Sequence, residues 1–222
     1  MSPAARFHAL VATLTIFTMF WLITYAVPAL WAYVNPASIN DVRISALISG
    51  FLTLVGSVGT YRLLAWGLGW ILHRSLKVRS WIFGANFLHG TWVGFFVGHA
   101  RDKRYVVEKF DQDLDGLVIN GRSYDINLQL HGQWTSEATS VDARRGRLMY
   151  TYSFTVGARS IDLSGICTFQ FDRSASYEAP HSITGYAHDL NDPTRIKVQE
   201  VKICNELLSW EQALKVAVKR FP

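Results

Sequence analysis

The sequence has little charge, and that charge is unevenly distributed. Only 18% of the 222 residues are charged, half are hydrophobic, and no formally charged residue occurs from Phe7 to Asn40. Such a composition argues against disorder and against a freely soluble domain. Residues 1–86 contain six basic residues and one acidic residue, Asp41, whereas residues 87–222 contain sixteen of each. The excess of positive charge belongs to the apolar part, which argues against a DNA- or RNA-binding surface.

Cysteines and catalytic signatures are also scarce. Cys167 and Cys204 have no metal-ligand spacing and are consistent with a reducing compartment. The sequence has no P-loop, no HExxH, no Gly-x-Ser-x-Gly and no dinucleotide-binding fingerprint. Two polar groups resemble metal ligands, namely His181 and His188 near Asp189 and Asp192, and the alternating Asp111, Asp113 and Asp115. The first is typical of a polar loop and the second lacks the Glu that closes a calcium loop. We therefore predict no catalytic residues, metal or cofactor, and a protein that is not an enzyme.

Two long apolar runs predict membrane-spanning helices. The spans are placed at residues 9–34 and 44–72, joined by a short turn at Asn35–Arg43. A cleaved signal peptide is the alternative for the first run, but the run is too long for one and a second run follows. Small residues recur in the second span and favour helix packing, within the hairpin or between subunits: Ser49, Gly50, Gly56, Gly59, Thr60, Gly67 and Gly69.

The flanking charges predict the orientation of this hairpin. Arg6 precedes the first span, and Arg74, Lys77 and Arg79 follow the second, whereas the turn carries only Arg43 opposed by Asp41. Because positive residues favour the cytoplasmic side, both termini are expected in the cytoplasm. We divide the chain into a hairpin with a basic neck, residues 1–80, and a cytoplasmic domain, residues 81–222.

The second part alternates apolar and polar residues with a period of two, which is typical of half-buried strands. Turn signals separate the runs at Asp115-Gly116, Asn120-Gly121, Arg145-Gly146, Gly157 and Asn191–Pro193. The candidate strands are Thr91–Gly98, Tyr105–Lys109, Leu117–Asn120, Ser123–Leu130, Gln133–Val141, Arg147–Thr155, Ile161–Phe171, Ser182–Ala187 and Ile196–Val201. This pattern predicts an all-β antiparallel barrel of about eight strands, lipocalin-like or minimal, although a sandwich has the same signature.

A helix at residues 206–221, with Asn205 as its N-cap, is predicted after the last strand. Its apolar residues recur at spacings of three and four, from Leu207 to Phe221. We expect it to pack on the barrel rather than on a neighbouring subunit.

A two-helix hairpin, a basic neck, Gly90-Thr91-Trp92-Val93-Gly94 and a compact barrel follow one another. With Gln133–Ser136 and Leu148–Tyr152, this layout resembles the two-transmembrane, β-strand-rich effectors of bacterial CBASS anti-phage systems. The resemblance implies a barrel that binds a cyclic dinucleotide or related cyclic oligonucleotide. It also implies homo-oligomers that disrupt the inner membrane, cell death or growth arrest, and a functional link to a nucleotide cyclase. Whether the ligand activates or silences the effector stays open.

Such a ligand needs aromatic faces for its bases and arginine or hydroxyl donors for its phosphates. The residues that we assign to this site are Arg122, Tyr124, Trp134, Thr135, Ser136, Tyr150, Tyr152 and Arg195. Tyr150, Tyr152 and Trp134 are also explained as barrel core. Two rival functions stay open. One is a membrane-tethered, lipocalin-like carrier of a lipid or other apolar ligand, which Gly90-Thr91-Trp92 favours, and the other is a membrane enzyme.

Overall fold

The computed structural model describes residues 2–26, 42–98, 101–156, 161–190 and 194–222. The chain divides into two compact units, Met1–Ile82 and Phe83–Pro222. The first unit is helical and the second is built from strands, so the division falls within two residues of the boundary placed from the sequence.

The first unit contains two long helices. Helix α1 spans Pro3–Trp21 and continues as a π-helical segment, Leu22–Ala26. Ser2 caps α1, because its Oγ accepts a hydrogen bond of 3.2 Å from the Ala5 amide. Helix α2 spans Val42–Arg74, and a short helix, α3, follows at Leu76–Phe83. Helix α1 thus begins six residues before the predicted span; residues 27–41, which include most of the predicted turn, lie outside the described residues.

Helices α1 and α2 pack against each other. His8 Nδ1 lies 2.7 Å from the Tyr61 hydroxyl, and a Cβ added to Gly56 would lie 3.7 Å from the Met19 methyl group. The glycine at position 56 therefore allows a close approach of the two helices within this unit.

Among the described residues, one helical segment, Pro3–Ala26, is long and apolar enough to cross a membrane.

The second unit is a closed antiparallel barrel in which each strand pairs with the next and the last pairs with the first. Its strands are β1 (Gly90–Val97), β2 (Lys103–Gln112), β3 (Leu117–Tyr124), β4 (Leu130–Asp142), β5 (Arg147–Val156), β6 (Ile161–Asp172), β7 (Ser182–Asp189) and β8 (Ile196–Cys204). The predicted barrel is confirmed, and closure leaves no sheet edge unpaired. Two predicted turn signals, Gly157 and Asn191–Pro193, lie outside the described residues.

A dense apolar core fills the end of the barrel where β1 begins, which we call the Trp92 end. Trp92 is fully buried, stacks on Phe110 at 5.1 Å between ring centroids, and donates its indole N–H to the Leu88 carbonyl at 2.9 Å. Fully buried Ile119, Leu148 and Ile183 belong to the same cluster. Inward-facing residues therefore close this end.

The turn predicted at Asn120-Gly121 is wrong, because both residues lie in the middle of β3. Gly121 is opposite Trp134 of β4, and a Cβ added to it would lie 2.0 Å from the Trp134 ring. The strand instead ends at Tyr124, and the reversal follows at residues 125–129, where Leu128 has a positive φ of 64°. Gly121 thus serves the packing of an indole ring rather than a turn.

We expect Gly121→Ala to destabilise the barrel by about 1–3 kcal/mol, because the new methyl group must displace the Trp134 ring. Gly116→Ala is the matched control, since a Cβ at position 116 meets nothing within 4 Å. Thermal unfolding of the two variants, followed by near-ultraviolet circular dichroism, measures the difference. Equal melting temperatures would show that the indole can move without cost.

Helix α4, at Trp210–Arg220, covers the outer face of the barrel. It begins four residues later than predicted, and its N-cap is Ser209 rather than Asn205. The cap is a capping box, in which Ser209 and Gln212 satisfy each other's backbone N–H groups. Ala213 and Ala217 pack against Val93, Val107 and other outward residues of the first three strands. The helix therefore covers a wall of the barrel and not its end.

Candidate functional site

A cavity of about 230 Å³ lies inside the barrel. It lies beyond the Trp92 end, toward the opposite end where β1, β3, β5 and β7 finish, which we call the mouth. The lining residues nearest the mouth, such as Phe96, His131 and Phe154, are half-buried. The cavity therefore reaches solvent at the mouth and is closed at the Trp92 end.

Two carboxyl groups lie deep in this cavity. Glu108 of β2 and Glu200 of β8 are each 1% exposed, and both strands pair with β1. Gly94 of β1 lies opposite Glu200, and a Cβ there would lie 2.1 Å from the Gln199 carbonyl oxygen and 2.7 Å from the Glu200 side chain. The missing side chain at Gly94 thus gives space to β8 and to Glu200.

The surroundings of the two carboxyl groups differ. Glu108 Oε1 accepts hydrogen bonds from the Trp134 indole N–H at 2.8 Å and from the Tyr150 hydroxyl at 2.7 Å. Burial raises the pKa of both groups. For Glu108 the hydrogen bond from Glu200 and those from Tyr150 and Trp134 counteract burial, whereas for Glu200 the negative charge of Glu108 and the hydrogen bond to it raise the pKa further. The pair therefore holds a proton on Glu200, and Glu108 is the member that ionises first.

Apart from the proton that Glu108 and Glu200 share, three oxygen atoms at the inner end of the cavity, which we call its floor, have no hydrogen-bond partner among the described residues. They are Glu108 Oε2, Glu200 Oε2 and the Oγ of Ser123, whose side chain is fully buried on β3. All three residues line the same cavity. Because buried polar atoms are normally paired, these oxygens mark a place where a ligand or water molecules supply the missing partners.

The walls of the cavity are aromatic and aliphatic. Tyr150 stacks on Phe169 with 6.1 Å between centroids, and Trp134 lies 6.0 Å from Phe154. Tyr152 donates its hydroxyl to Asp189 Oδ1 at 2.9 Å, and burial raises the pKa of this tyrosine. Planar ring faces thus surround the carboxyl pair.

One cation, Arg104, stands at the mouth among the described lining residues. Its Nε donates to Asp102 Oδ2 at 2.7 Å, and it also bonds to His131 Nε2. Burial and the neighbouring Arg104 charge lower the pKa of His131, which keeps the imidazole neutral and able to accept from the guanidinium. The positive charge of the cavity is therefore at its mouth and the acidic groups are inside.

The structure brings together only part of the residue set assigned from the sequence. Trp134, Tyr150 and Tyr152 line the cavity. Ser136 shares the β4 face of Trp134, but its Oγ accepts a hydrogen bond from the Ile119 amide at 2.9 Å. Thr135 is exposed and bonds to Asn120.

The other assigned residues lie outside the barrel interior. The Arg122 guanidinium is 4.5 Å from the Trp210 ring of α4, and Tyr124 is buried beneath the same helix. Arg122 and Tyr124 share the outward face of β3, because Gly121 and Ser123 occupy the inward one. Arg195 is exposed just before β8.

Sequence reasoning missed the two buried carboxyl groups. The signal was present, because Glu108 shares its strand phase with Val106 and Phe110, and Glu200 shares its phase with Val198. An acidic residue in the inward phase of a strand indicates a functional or specially paired position. The missed set also includes Ser123, Arg104 and His131.

The two groups of His and Asp residues that resemble metal ligands in the sequence do not form a metal site in the described part of the chain. There, no three His, Cys, Asp or Glu side chains are arranged to hold an ion. His181 instead pairs with Asp172, with 3.3 Å between Nε2 and Oδ2, and Asp113 Oδ1 accepts from the Asp115 and Gly116 amides in a turn. Asp192 lies outside the described residues.

Comparison with known proteins adds no family to this geometry. The chain matches no family model, no curated protein and no solved structure.

Proposed function

We propose that this protein is a membrane-anchored anti-phage effector whose barrel receives a cyclic nucleotide and whose hairpin then acts on the bacterial inner membrane. The observation that carries the proposal is the aromatic cavity, reached from solvent at the mouth, in a barrel that follows an apolar helix. Aromatic faces such as Trp134 and Tyr150 are suited to stack on a nucleobase. The cyclic nucleotide would come from a partner cyclase, and the outcome would be cell death or growth arrest.

The size and charge of the cavity decide which part of such a ligand enters. A volume of about 230 Å³ is below the roughly 300–1,000 Å³ of pockets that enclose drug-sized ligands. The interior also holds Glu108 and Glu200, which would repel phosphate groups. We therefore place one base inside the barrel and the sugar-phosphate ring at the mouth, near Arg104.

The helical unit supports the membrane part of the proposal. Large apolar side chains are exposed on α1 and α2, among them Phe17, Phe20, Leu63 and Trp66. Surfaces of this kind need a lipid or protein environment. Around Gly59, Gly67 and Gly69 of α2, an added Cβ would meet nothing within 4 Å. These positions would allow close packing of hairpins from several copies, with both termini on the cytoplasmic side.

A carrier of a lipid or other apolar ligand is the second candidate. The aliphatic residues of the cavity wall, such as Val106, Leu163 and Val198, favour it. A fatty acyl chain, however, offers no donor to the unpaired carboxyl oxygens on the floor. This mismatch places the carrier second.

Isothermal titration of the full chain in detergent against cyclic di- and trinucleotides tests the proposal. We expect saturable binding of one nucleotide, weakened about tenfold or more by Trp134→Leu, because stacking on an aromatic ring contributes about 1–3 kcal/mol per base. Trp210→Leu is the matched control, since Trp210 packs on the outer face of the barrel. Binding of oleate without any nucleotide binding would favour the carrier.

A dye-release assay on vesicles containing the full chain tests the membrane step. Leakage should differ between the nucleotide-bound and nucleotide-free protein, and the direction of the difference reveals whether the ligand activates or silences. Equal leakage in the two states would contradict coupling of the barrel to the membrane.

A further inference from the structure

The carboxyl oxygens on the floor of the cavity outnumber its hydrogen-bond donors. Glu200 shares its proton with Glu108, and Glu108 Oε1 receives the Trp134 and Tyr150 donors, but no further donor reaches Glu108 Oε2 or Glu200 Oε2 in the described structure. No Lys or Arg is among the described lining residues at this depth, because Arg104 is at the mouth with Asp102. A ligand that fits this floor must bring N–H donors of its own.

The aromatic walls and the small volume of the cavity require that the N–H donors of the ligand belong to a planar group. Trp134, Tyr150 and Phe169 place rings beside the carboxyl pair, and the cavity of about 230 Å³ has room for one small ring system. A planar edge with two adjacent N–H donors can meet two carboxyl oxygens at once, as guanidinium groups do. Among nucleobases, guanine presents adjacent ring N–H and amino N–H₂ donors, next to the O6 acceptor.

We propose that the cavity recognises the guanine base of its nucleotide through the acceptor oxygens of Glu108 and Glu200, with Ser123 completing the floor. This inference rests on the proposed function and names the base that enters. The Ser123 hydroxyl is also unpaired and fully buried, so it can donate to an acceptor such as O6. Adenine pairs less well, since its ring N1 is an acceptor that would face another acceptor.

Titration of the full chain in detergent with cyclic di-GMP, cyclic di-AMP, guanosine and adenosine tests this proposal. We expect a preference of about tenfold or more for the guanine ligand in each pair, since hydrogen bonds to charged groups are strong. Glu108→Gln should reduce that preference about tenfold, because an amide offers one acceptor oxygen where the carboxylate offers two.

Ser123→Ala is a second variant that keeps the proposal testable if Glu108→Gln fails to fold. It removes an unpaired hydroxyl, so the fold should tolerate it, while guanine binding weakens several-fold. Ser140→Ala, at an exposed position of β4, is the matched control and should bind as the wild type does.

The outcomes separate this inference from the proposed function. Equal affinity for cyclic di-AMP and cyclic di-GMP, unchanged in Glu108→Gln, overturns guanine recognition and leaves the nucleotide receptor standing. Guanosine binding that responds to Glu108→Gln, without binding of any cyclic nucleotide, supports guanine recognition and overturns the proposed function. Absence of binding to all four ligands overturns guanine recognition, and absence of binding to the whole panel of cyclic di- and trinucleotides overturns the proposed function as well.

Discussion

Trp92→Ala should destabilise the barrel by about 3–5 kcal/mol, the range measured when a buried large aromatic residue is truncated. The side chain is fully buried, stacks on Phe110 and donates its indole N–H to the Leu88 carbonyl. Alanine removes the stacking on Phe110 and the hydrogen bond to Leu88, and it leaves a void in the core of the Trp92 end. Lys202, whose ammonium lies 5.9 Å from the Trp92 ring, loses an aromatic neighbour as well.

Chemical denaturation of the full chain in detergent, followed by near-ultraviolet circular dichroism, measures this effect. Trp92→Phe should recover part of the loss, because the ring returns without the indole N–H. Tyr177→Ala is the matched control, since that aromatic side chain is 76% exposed and should change stability little. A loss in Trp92→Ala no larger than in this control would show that the core relaxes around the void.

Glu200→Gln should stabilise the protein at neutral and alkaline pH and have little effect near pH 4. Burial and the neighbouring Glu108 charge raise the Glu200 pKa well above its ordinary value of 4.5, so the folded chain holds a proton that the unfolded chain releases. The wild type therefore loses free energy of unfolding as pH rises from about 4.5 to the raised pKa, by about 1.4 kcal/mol per pH unit for each proton held. Glutamine is neutral throughout and can donate its amide to Glu108.

Melting temperatures of the wild type and of Glu200→Gln, measured from pH 4 to pH 9, test the direction of this pH dependence. The difference between the two melting temperatures should increase as pH rises, by about 2–4 °C for each kcal/mol of stability that the wild type loses. Glu178→Gln is the control, because Glu178 is exposed in the loop before β7 and is hydrated in both states. A difference in melting temperature that stays constant with pH would mean that the Glu200 pKa is the same in the folded and in the unfolded chain.

The eight-stranded barrel could be predicted because period-two alternation is a local property. In β5 and β6 the inward faces, for example Tyr150 to Phe154, follow directly from which residues are apolar. The apolar N-terminal helix is equally local, since length and composition alone identify it. The start of α4 was missed by four residues, because Asn205 was chosen as the cap although Ser209 and Gln212 have the local spacing of a capping box.

The candidate site was only partly predictable, because it depends on which strands become neighbours. Trp134, Tyr150 and Tyr152 were found from their aromatic faces, but Arg122 and Tyr124 were assigned to the interior when their face lies under α4. Gly121 was predicted to be a turn residue because Asn-Gly is a local turn signal. Its actual role, to give space to the indole of Trp134 on the next strand, depends on how the strands pair.

The amino-acid sequence by itself therefore determined an apolar helical segment, an antiparallel β domain and the inward phase of β5 and β6. Only the tertiary structure decided that Glu108 and Glu200, ninety-two residues apart and on the two strands that flank β1, meet in one cavity. The physical reason is closure of the barrel: pairing of β8 with β1 is a long-range contact, and no local pattern encodes which side chains it brings together.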